Sequence, residues 1–365
     1  MTALDAHAGA WNPAGSWTSL AAEAAADVNA RFGHRLMGLP GTWIGTLQAD
    51  PADPADRPES PPASRRRQRS DSRQRPWSEW HYWWQSHYLD SIIDAGFLAL
   101  SQGGRIIARR ELRRARQLLR GIMIRNFGVF PNYYYDDMAW LALAASRLNT
   151  LSVRLEARPS RLALRAVRSL TRQLHGAHDS VLGGGIYWSR KRDFKNTPAN
   201  GPAALHFARN GDPEAARAIA GWLRTELFDP ETGLYLDGIH PSATGRDVER
   251  TVYTYNQGPI LAALLALGRP QDLSDAGALI DAVNSHLHTP GLGLRLEPGG
   301  DGGLFTGILC RYLALAVQDR RLPAHSRATA STMVKETAAQ LAGHAPVQLS
   351  AAVQRWTVLS AAAAL

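Results

Sequence analysis

Cysteine is almost missing from this chain. Cys310 stands alone among 365 residues, which excludes an intrachain disulfide framework and a cysteine-rich zinc site. Its setting, GILCRYLAL, reads as a small buried apolar position. Lysine is nearly as scarce: of 41 basic residues, only Lys191, Lys195 and Lys335 are not arginine. No uninterrupted apolar run reaches about 18 residues, so no membrane span is expected. The opening MTALDAHAGAWNPAGSW lacks a basic segment followed by an apolar one. No secretory signal is therefore expected, and the chain is placed in the cytoplasm unless translation starts further upstream.

What is present points to a large core. Hydrophobic residues make up 45%, with 11 Trp, 10 Tyr and 8 Phe, and a chain so composed does not stay disordered as a whole. The net charge of +9 is unevenly spread: SRRRQRSDSRQR, residues 64–75, holds six Arg against one Asp. Residues 105–125 and 154–172 are also rich in Arg. Such charge suits nucleic acid or anionic lipid. No nucleic-acid recognition motif accompanies it, so nucleic acid is not an expected partner, and the arginines are expected on helix exteriors.

The chain is read as one domain over 1–365, with an Arg- and Pro-rich, disordered or extended insertion at 50–76. Residues 19–33 read as a first helix, with Ser19 as a possible N-cap and Gly33 near its end. From Trp77 onward the period is helical. Trp84, Tyr88, Ile92 and Ala95 share one face; Leu112, Ala115, Leu118, Leu119 and Ile122 share another, with Arg opposite. Residues 136–148 are apolar nearly all round, the mark of a helix enclosed by protein. Strand signals are confined to GGGIYWS and GLGLRLEP. About a dozen helices that alternate between buried and amphipathic character suit a closed ring of helical hairpins. No repeat of 33 to 45 residues is visible, which disfavours an open solenoid.

The unusual residues lie in the segments that lead into the inner helices: WHYWWQSH, NYYYDD, GGGIYWSRKRDFKN, VERTVYTYNQG and EPGGDGGLF. Each mixes aromatics and small polar side chains. If inner-helix N-termini gather at one end of a ring, these segments gather too. The result would be a cleft of flat aromatic faces and hydrogen-bonding tips, which matches the apolar faces and polar edges of sugars.

Asp136 and Asp137, in PNYYYDDMAWLALAASRL, stand side by side at the start of the enclosed helix. Acidic residues in a first helical turn are ordinary helix chemistry. Here, however, both precede a buried segment. Adjacent like charges with little access to water cannot both ionise cheaply, so one pKa rises above the other. Two carboxyls with split pKa values are the equipment of glycosidic cleavage. Consecutive helix residues point about 100° apart, which allows roughly the 5–5.5 Å separation of a retaining pair more readily than the wider inverting gap. A metal-binding DDxxD helix is the rival reading, but the fifth position is Trp140, which breaks the carboxylate triad that would hold magnesium. No metal is expected.

In this order, YYYDDMAWLALA, GGGIYWSRKRDFKNTPANGPAALHFAR, VYTYNQGPILAALLAL and GGDGGLFTGILCRYLA resemble the motifs of glycoside hydrolase family 76, the endo-α-1,6-mannanases and related mannan-acting enzymes. The likeness runs from the first helix to the C-terminus, with the Arg-rich insertion as a departure. It implies an all-α (α/α)6 barrel that cleaves α-1,6-linked mannan or mannooligosaccharides with retention and without a cofactor. It also implies Asp136 as nucleophile and Asp137 as general acid/base. A second departure is Met138, where the family often has an acidic or polar residue. The third is the absence of a signal peptide, which suits a cytoplasmic member that trims imported or recycled mannooligosaccharides.

The remaining candidates for substrate binding follow from cleft position. Tyr134 and Tyr135 are walls or core packing. Trp188 stacks on a sugar or caps its loop. Asp193, Lys195 and Asn196 form a polar cluster or a turn. Tyr255, Asn256 and Gln257 precede an inner helix, with Asn256 and Gln257 favoured as sugar contacts. Asp301 sits among glycines that let backbone approach a ligand. Trp140 reads as core, and neither His81 nor His87 is given a catalytic role. Two alternatives share the scaffold: a non-hydrolytic glycan-binding or transglycosylating protein, and an epimerase-type enzyme that would need His81 and His87 as proton carriers.

Overall fold

A computed structural model describes residues 14–49, 80–242 and 245–365. The segment expected to be an extended insertion, 50–76, lies outside the described residues. Among those described, twelve helices follow in order: α1 (Ala14–Arg31), α2 (Tyr82–Ser101), α3 (Arg105–Arg125), α4 (Tyr135–Glu156), α5 (Arg161–Gly176), α6 (Thr197–Arg209), α7 (Pro213–Glu226), α8 (Thr254–Leu267), α9 (Pro270–Leu287), α10 (Gly302–Gln318), α11 (Ala324–Leu341) and α12 (Leu349–Ala363).

The even-numbered helices close a ring. Helix α2 packs on α4, α4 on α6, α6 on α8, α8 on α10, α10 on α12, and α12 returns to α2. Each odd-numbered helix shelters one of these from outside: α3 covers α2, α5 covers α4, α7 covers α6, α9 covers α8, α11 covers α10 and α1 covers α12. This is the (α/α)6 barrel that the alternating pattern and the family resemblance led us to expect. The physical division is plain in the side chains. Helix α8 buries residues on every side, from Thr254 through Leu265, whereas α5 buries only Ala163, Ala166, Leu170 and Leu174. Glycines let the inner helices approach closely. A Cβ on Gly258 would stand 3.2 Å from the Leu309 Cα on α10, and one on Gly307 would stand 3.1 Å from the Gln354 Cα on α12.

Deep in the ring an ionic layer joins helices that would otherwise meet only through apolar contacts. The Arg147 guanidinium bonds Asp90 and Asp94. Arg311 Nε donates to Asp94 Oδ2 at 2.8 Å, and its Nη1 lies 3.3 Å from Asp90 Oδ2. Arg311 also reaches Ser91 on α2 and Thr357 on α12. Burial alone would raise the Asp90 carboxyl, but Arg147 and Arg311 outweigh it and hold the group below its ordinary value. Satisfied in this way, the charges can remain in the interior.

Two expectations need correction. Helix α1 begins before Ser19, which therefore sits inside the helix rather than at its N-cap position; buried Trp17 anchors the earlier turn to the core. A polar hairpin, Gly238–Ser242 with Gly245–Glu249, was not anticipated. Its residues, GIHPS and GRDVE, show no apolar alternation to announce strands. The two expected extended segments do pair, over very short lengths. Gly293–Leu294 pairs with His288–Thr289, while Ile186, Tyr187 and Ser189 make isolated bridges.

The ionic layer yields a prediction. Arg311→Met leaves Asp90 and Asp94 buried with one cation fewer, which should lower unfolding free energy by about 3–5 kcal/mol. Urea denaturation followed by circular dichroism measures it, and a loss below about 1 kcal/mol would show that the layer carries little.

Candidate active site

The first turns of the inner helices α2, α4, α8 and α10 meet at one end of the ring. At that end lies a cavity of about 520 Å³, a normal size for a small-ligand site. Helix α2 supplies His81, Tyr82 and Trp83 at its start; α4 supplies Tyr134, Asp136 and Asp137. The segment before α6 gives Trp188, Phe194 and Asn196, and the turn before the polar hairpin gives Asp237. Tyr253 and Tyr255 come from the start of α8, and Asp301 and Phe305 from the start of α10.

The acidic pair is bonded unequally. Asp136 Oδ1 accepts from the Asp137 backbone N–H at 2.8 Å, and its Oδ2 accepts from Trp188 Nε1 at 2.9 Å. Asp137 Oδ2 accepts from Asn132 Nδ2 at 2.5 Å. Burial pushes the Asp136 carboxyl up to about 7; its two donors pull it down, and Asp301 nearby pushes it up. Asp137 is held well above the ordinary carboxyl value, first by burial and then by the charge of Asp136. With two donors on Asp136, the negative charge settles there first, and Asp137 keeps the proton. The first peptide N–H groups of α4 favour the same outcome, because a helix N-terminus stabilises an anion.

The Trp188 indole is aimed by its backbone. The Trp188 carbonyl accepts from the Tyr135 N–H at 2.7 Å, and its own N–H donates to the Phe194 carbonyl at 2.8 Å. Beneath the loop, Lys195 is fully buried, and its ammonium donates to Asp179 Oδ1 and to the carbonyls of Val181 and Gly184, all within 2.7 Å. The loop that presents Trp188 is thus fastened at both ends. Trp188 tilts against Tyr134 with ring centres 4.9 Å apart, and both rings stay partly exposed. Across the cavity, Tyr255 stacks on Phe305 at 3.8 Å, with the edge of Trp83 against both.

Of the twelve residues proposed from sequence, seven line this cavity: Asp136, Asp137, Tyr134, Trp188, Asn196, Tyr255 and Asp301. Asn196 also caps α6, accepting from the Ala199 N–H at 3.2 Å. Asp301 accepts from Trp84 Nε1 at 2.6 Å. The other five lie elsewhere. Tyr135 is buried beneath the Arg190 guanidinium. Asp193 points outward and pairs with Lys191 at 2.6 Å. Lys195 has spent all three ammonium donors on its own loop. Gln257 is consumed by the backbone of Tyr235 and Tyr253. Asn256 reaches the cavity only through Asp237, donating to its Oδ1 at 3.1 Å.

Sequence reasoning missed Asp237, whose carboxyl burial pushes up to about 6 against the pull of Asn256. It lies in LYLDGIH, outside the aromatic segments that mark the other lining residues. His81, Tyr82, Trp83, Phe194, Tyr253 and Phe305 all fall inside segments singled out from sequence without being named as contacts. His81 reaches the cavity, while His87 is buried below it among Trp83 and Trp140. Among the described residues, no group of three or more His, Cys, Asp or Glu is placed to hold a metal ion.

Comparison with known proteins places this geometry. The model of Glycosyl hydrolase family 76 matches residues 65–358. The GH76A α-1,6-mannanase from Salegentibacter sp. HEL1_6 is 26% identical, with 95% of this chain and 99% of that chain covered and a TM-score of 0.76. An inactive variant of that mannanase, with two consecutive aspartates changed to asparagine, was solved with α-1,6-mannotriose and matches to the same extent. The Lin0763 protein from Listeria innocua shares the fold at 22% identity, with 95% and 97% of the chains covered and a TM-score of 0.74. No curated protein sequence matches the chain.

Two measurements test the electrostatics. Trp188→Phe removes a donor from ionised Asp136 and should raise its ionisation by about one pH unit, read by carboxyl NMR titration. An unchanged titration would mean the indole bond does not support the charge. Asp137→Asn should raise the melting temperature at neutral pH. The unfolded chain ionises this carboxyl near its ordinary value and the folded chain well above it, so wild-type stability falls as pH rises through that window. The gain should vanish below the ordinary carboxyl range, where both states are protonated.

Proposed function

The chain belongs to glycosyl hydrolase family 76, and from that premise we propose that it hydrolyses α-1,6-mannosidic linkages in mannan or mannooligosaccharides with retention of configuration. The observation that carries this reading is the unequal bonding of Asp136 and Asp137 within one sugar-sized cavity. The Salegentibacter mannanase offers a parallel, since its inactive variants replace two consecutive aspartates. Asp136–Asp137 is the one consecutive aspartate pair in this chain.

In the first step, ionised Asp136 attacks the anomeric carbon while Asp137 gives its proton to the departing glycosidic oxygen. The C–O bond breaks and a mannosyl ester forms on Asp136. Asp137, now a carboxylate, takes a proton from water as that water's oxygen attacks the anomeric carbon. The ester bond breaks and Asp136 leaves as the carboxylate, again held by Trp188 and the Asp137 N–H. Aromatic faces such as Tyr255 and Tyr134 suit the apolar faces of mannose, and Asp237 and Asp301 suit its hydroxyls as acceptors.

Linear α-1,6-mannan tests the proposal. Asp136→Asn should abolish turnover. Asp137→Asn should lower it by about 10²–10⁴-fold, with partial recovery in azide, which needs no base to accept the sugar. NMR of the first product should show the α-anomer; the β-anomer appearing first would refute retention. Full activity in both variants would remove the pair from catalysis. The rate should climb as pH rises through about 7, where Asp136 ionises, and fall once Asp137 loses its proton at higher pH.

A further inference from the structure

The two Arg-rich segments on the outer wall lie 29 residues apart in sequence and are brought together by the fold. Residues 105–125 and 154–172 hold 14 Arg and 2 Glu, a net +12 in a chain whose total is +9. Residues 64–75 contribute +5, so everything else sums to −8. Helices α3 and α5, which carry most of these arginines, pack side by side in the outer layer. Arg161, Arg165, Arg168 and Arg172 repeat at spacings of four and three along α5, opposite its buried alanines and leucines. Arg109, Arg113 and Arg120 run likewise along α3.

These charges are largely unspent. Arg110 and Arg114 pair with Glu111, while Arg116 and Arg158 pair with Glu156. Among the described residues, Arg109, Arg113, Arg161, Arg165, Arg168 and Arg172 have no acidic partner. The wall across the ring has no such stripe: α11 carries only Arg327, Lys335 and Glu336 as charged residues. Helix α9 carries Asp272, Asp275 and Asp281 and no Lys or Arg. The barrel is therefore electrically polarised across its width, and a charged surface would orient it.

Aliphatic residues stand within the basic stripe. Ile106 is 84% exposed and Ile107 49% exposed. Ile106 precedes Arg109, Arg110 and Arg113 at helical spacing, so it shares their face. Phe127 is 79% exposed just past the other end of α3. A nucleic acid would have little use for an isoleucine at this place, and two flush helices do not present one helix to a major groove. A lipid headgroup layer uses both features: guanidinium groups take phosphates in bidentate fashion, and aliphatic side chains seat at the boundary with the acyl chains. No helix among the described residues is long and apolar enough to cross a membrane.

We propose that the α3–α5 wall is a docking surface for the phosphate headgroups of an anionic phospholipid bilayer. Docking on this wall lays the barrel on its side. The cavity, at the end of the ring, stays open and faces along the lipid surface. The wall is separate from the carboxylate site, so the proposal stands or falls independently of the reaction.

Co-sedimentation of the full chain with phosphatidylcholine vesicles, with and without phosphatidylglycerol, tests it. Binding should require phosphatidylglycerol and should disappear near 1 M salt, where the screening length falls to about 3 Å. The fourfold exchange R109E, R113E, R165E and R168E keeps the 64–75 segment intact and should weaken partitioning by about a hundredfold or more. Ile106→Ser should weaken it a few-fold with unchanged salt dependence. If the fourfold exchange unfolds the chain, Arg165→Gln with Arg168→Gln should still cost about tenfold. Turnover of soluble α-1,6-mannotriose should be the same in the folded variants as in wild type. Unchanged partitioning in the variants, absent or equal binding to both vesicle types, or tighter binding to a DNA duplex than to vesicles would each overturn the proposal.

Discussion

Six inner helices must close on each other, and most of what this protein has follows from that closure. A helix flanked by two inner neighbours and backed by an outer one has no solvent side, so its residues are apolar or internally satisfied. Helices α8, α10 and α12 show this along most of their length. Glycines at the seams let them approach. The middle of such a ring cannot be left hollow, and the Asp90, Asp94, Arg147 and Arg311 layer fills its depth. The space above that layer is the cavity.

Closure also decides the chemistry of that cavity. It gathers the N-termini of the inner helices α2, α4, α8 and α10 at one end, where backbone N–H groups are unpaired and the local potential is positive. It also removes water from whatever is placed there. For a carboxylate these effects oppose each other. Asp136 sits where donors remain available and keeps the charge; Asp137, one residue on, has a single donor and bears the repulsion of its neighbour. A helix start surrounded by protein is thus enough to give two chemically identical groups an unequal hold on a proton.

The site is costly to fold. Trp83 Nε1, His87 Nε2 and Trp140 Nε1 are buried without a hydrogen-bond partner among the described groups, each an expense of about 1–3 kcal/mol. Their rings touch, with His87 4.8 Å from both tryptophans. Burial first, and then the Arg311 charge below, push the His87 pKa well down, so the ring is neutral. Unsatisfied groups collected directly beneath a cavity floor are a usual mark of a functional site, where stability yields to binding.

Periodicity by itself determined that the chain is helical, that some helices are enclosed and others face water, and that aromatic and acidic residues precede the enclosed ones. Those features depend on neighbours three and four residues away, which the sequence displays directly. Tertiary structure alone decided which polar residues face the cavity. Lys195 and Gln257 carry the polar tips expected of sugar contacts, yet backbone carbonyls away from the cavity consume them. Asp237 is invisible as a short acidic residue in a turn, and becomes part of the site because the ring places it opposite Asn256. The wall of arginine was legible as two separate segments; only packing made it one face. In each case the deciding contact joins residues that are not near neighbours in the chain, and local pattern holds no record of a partner that folding brings from elsewhere.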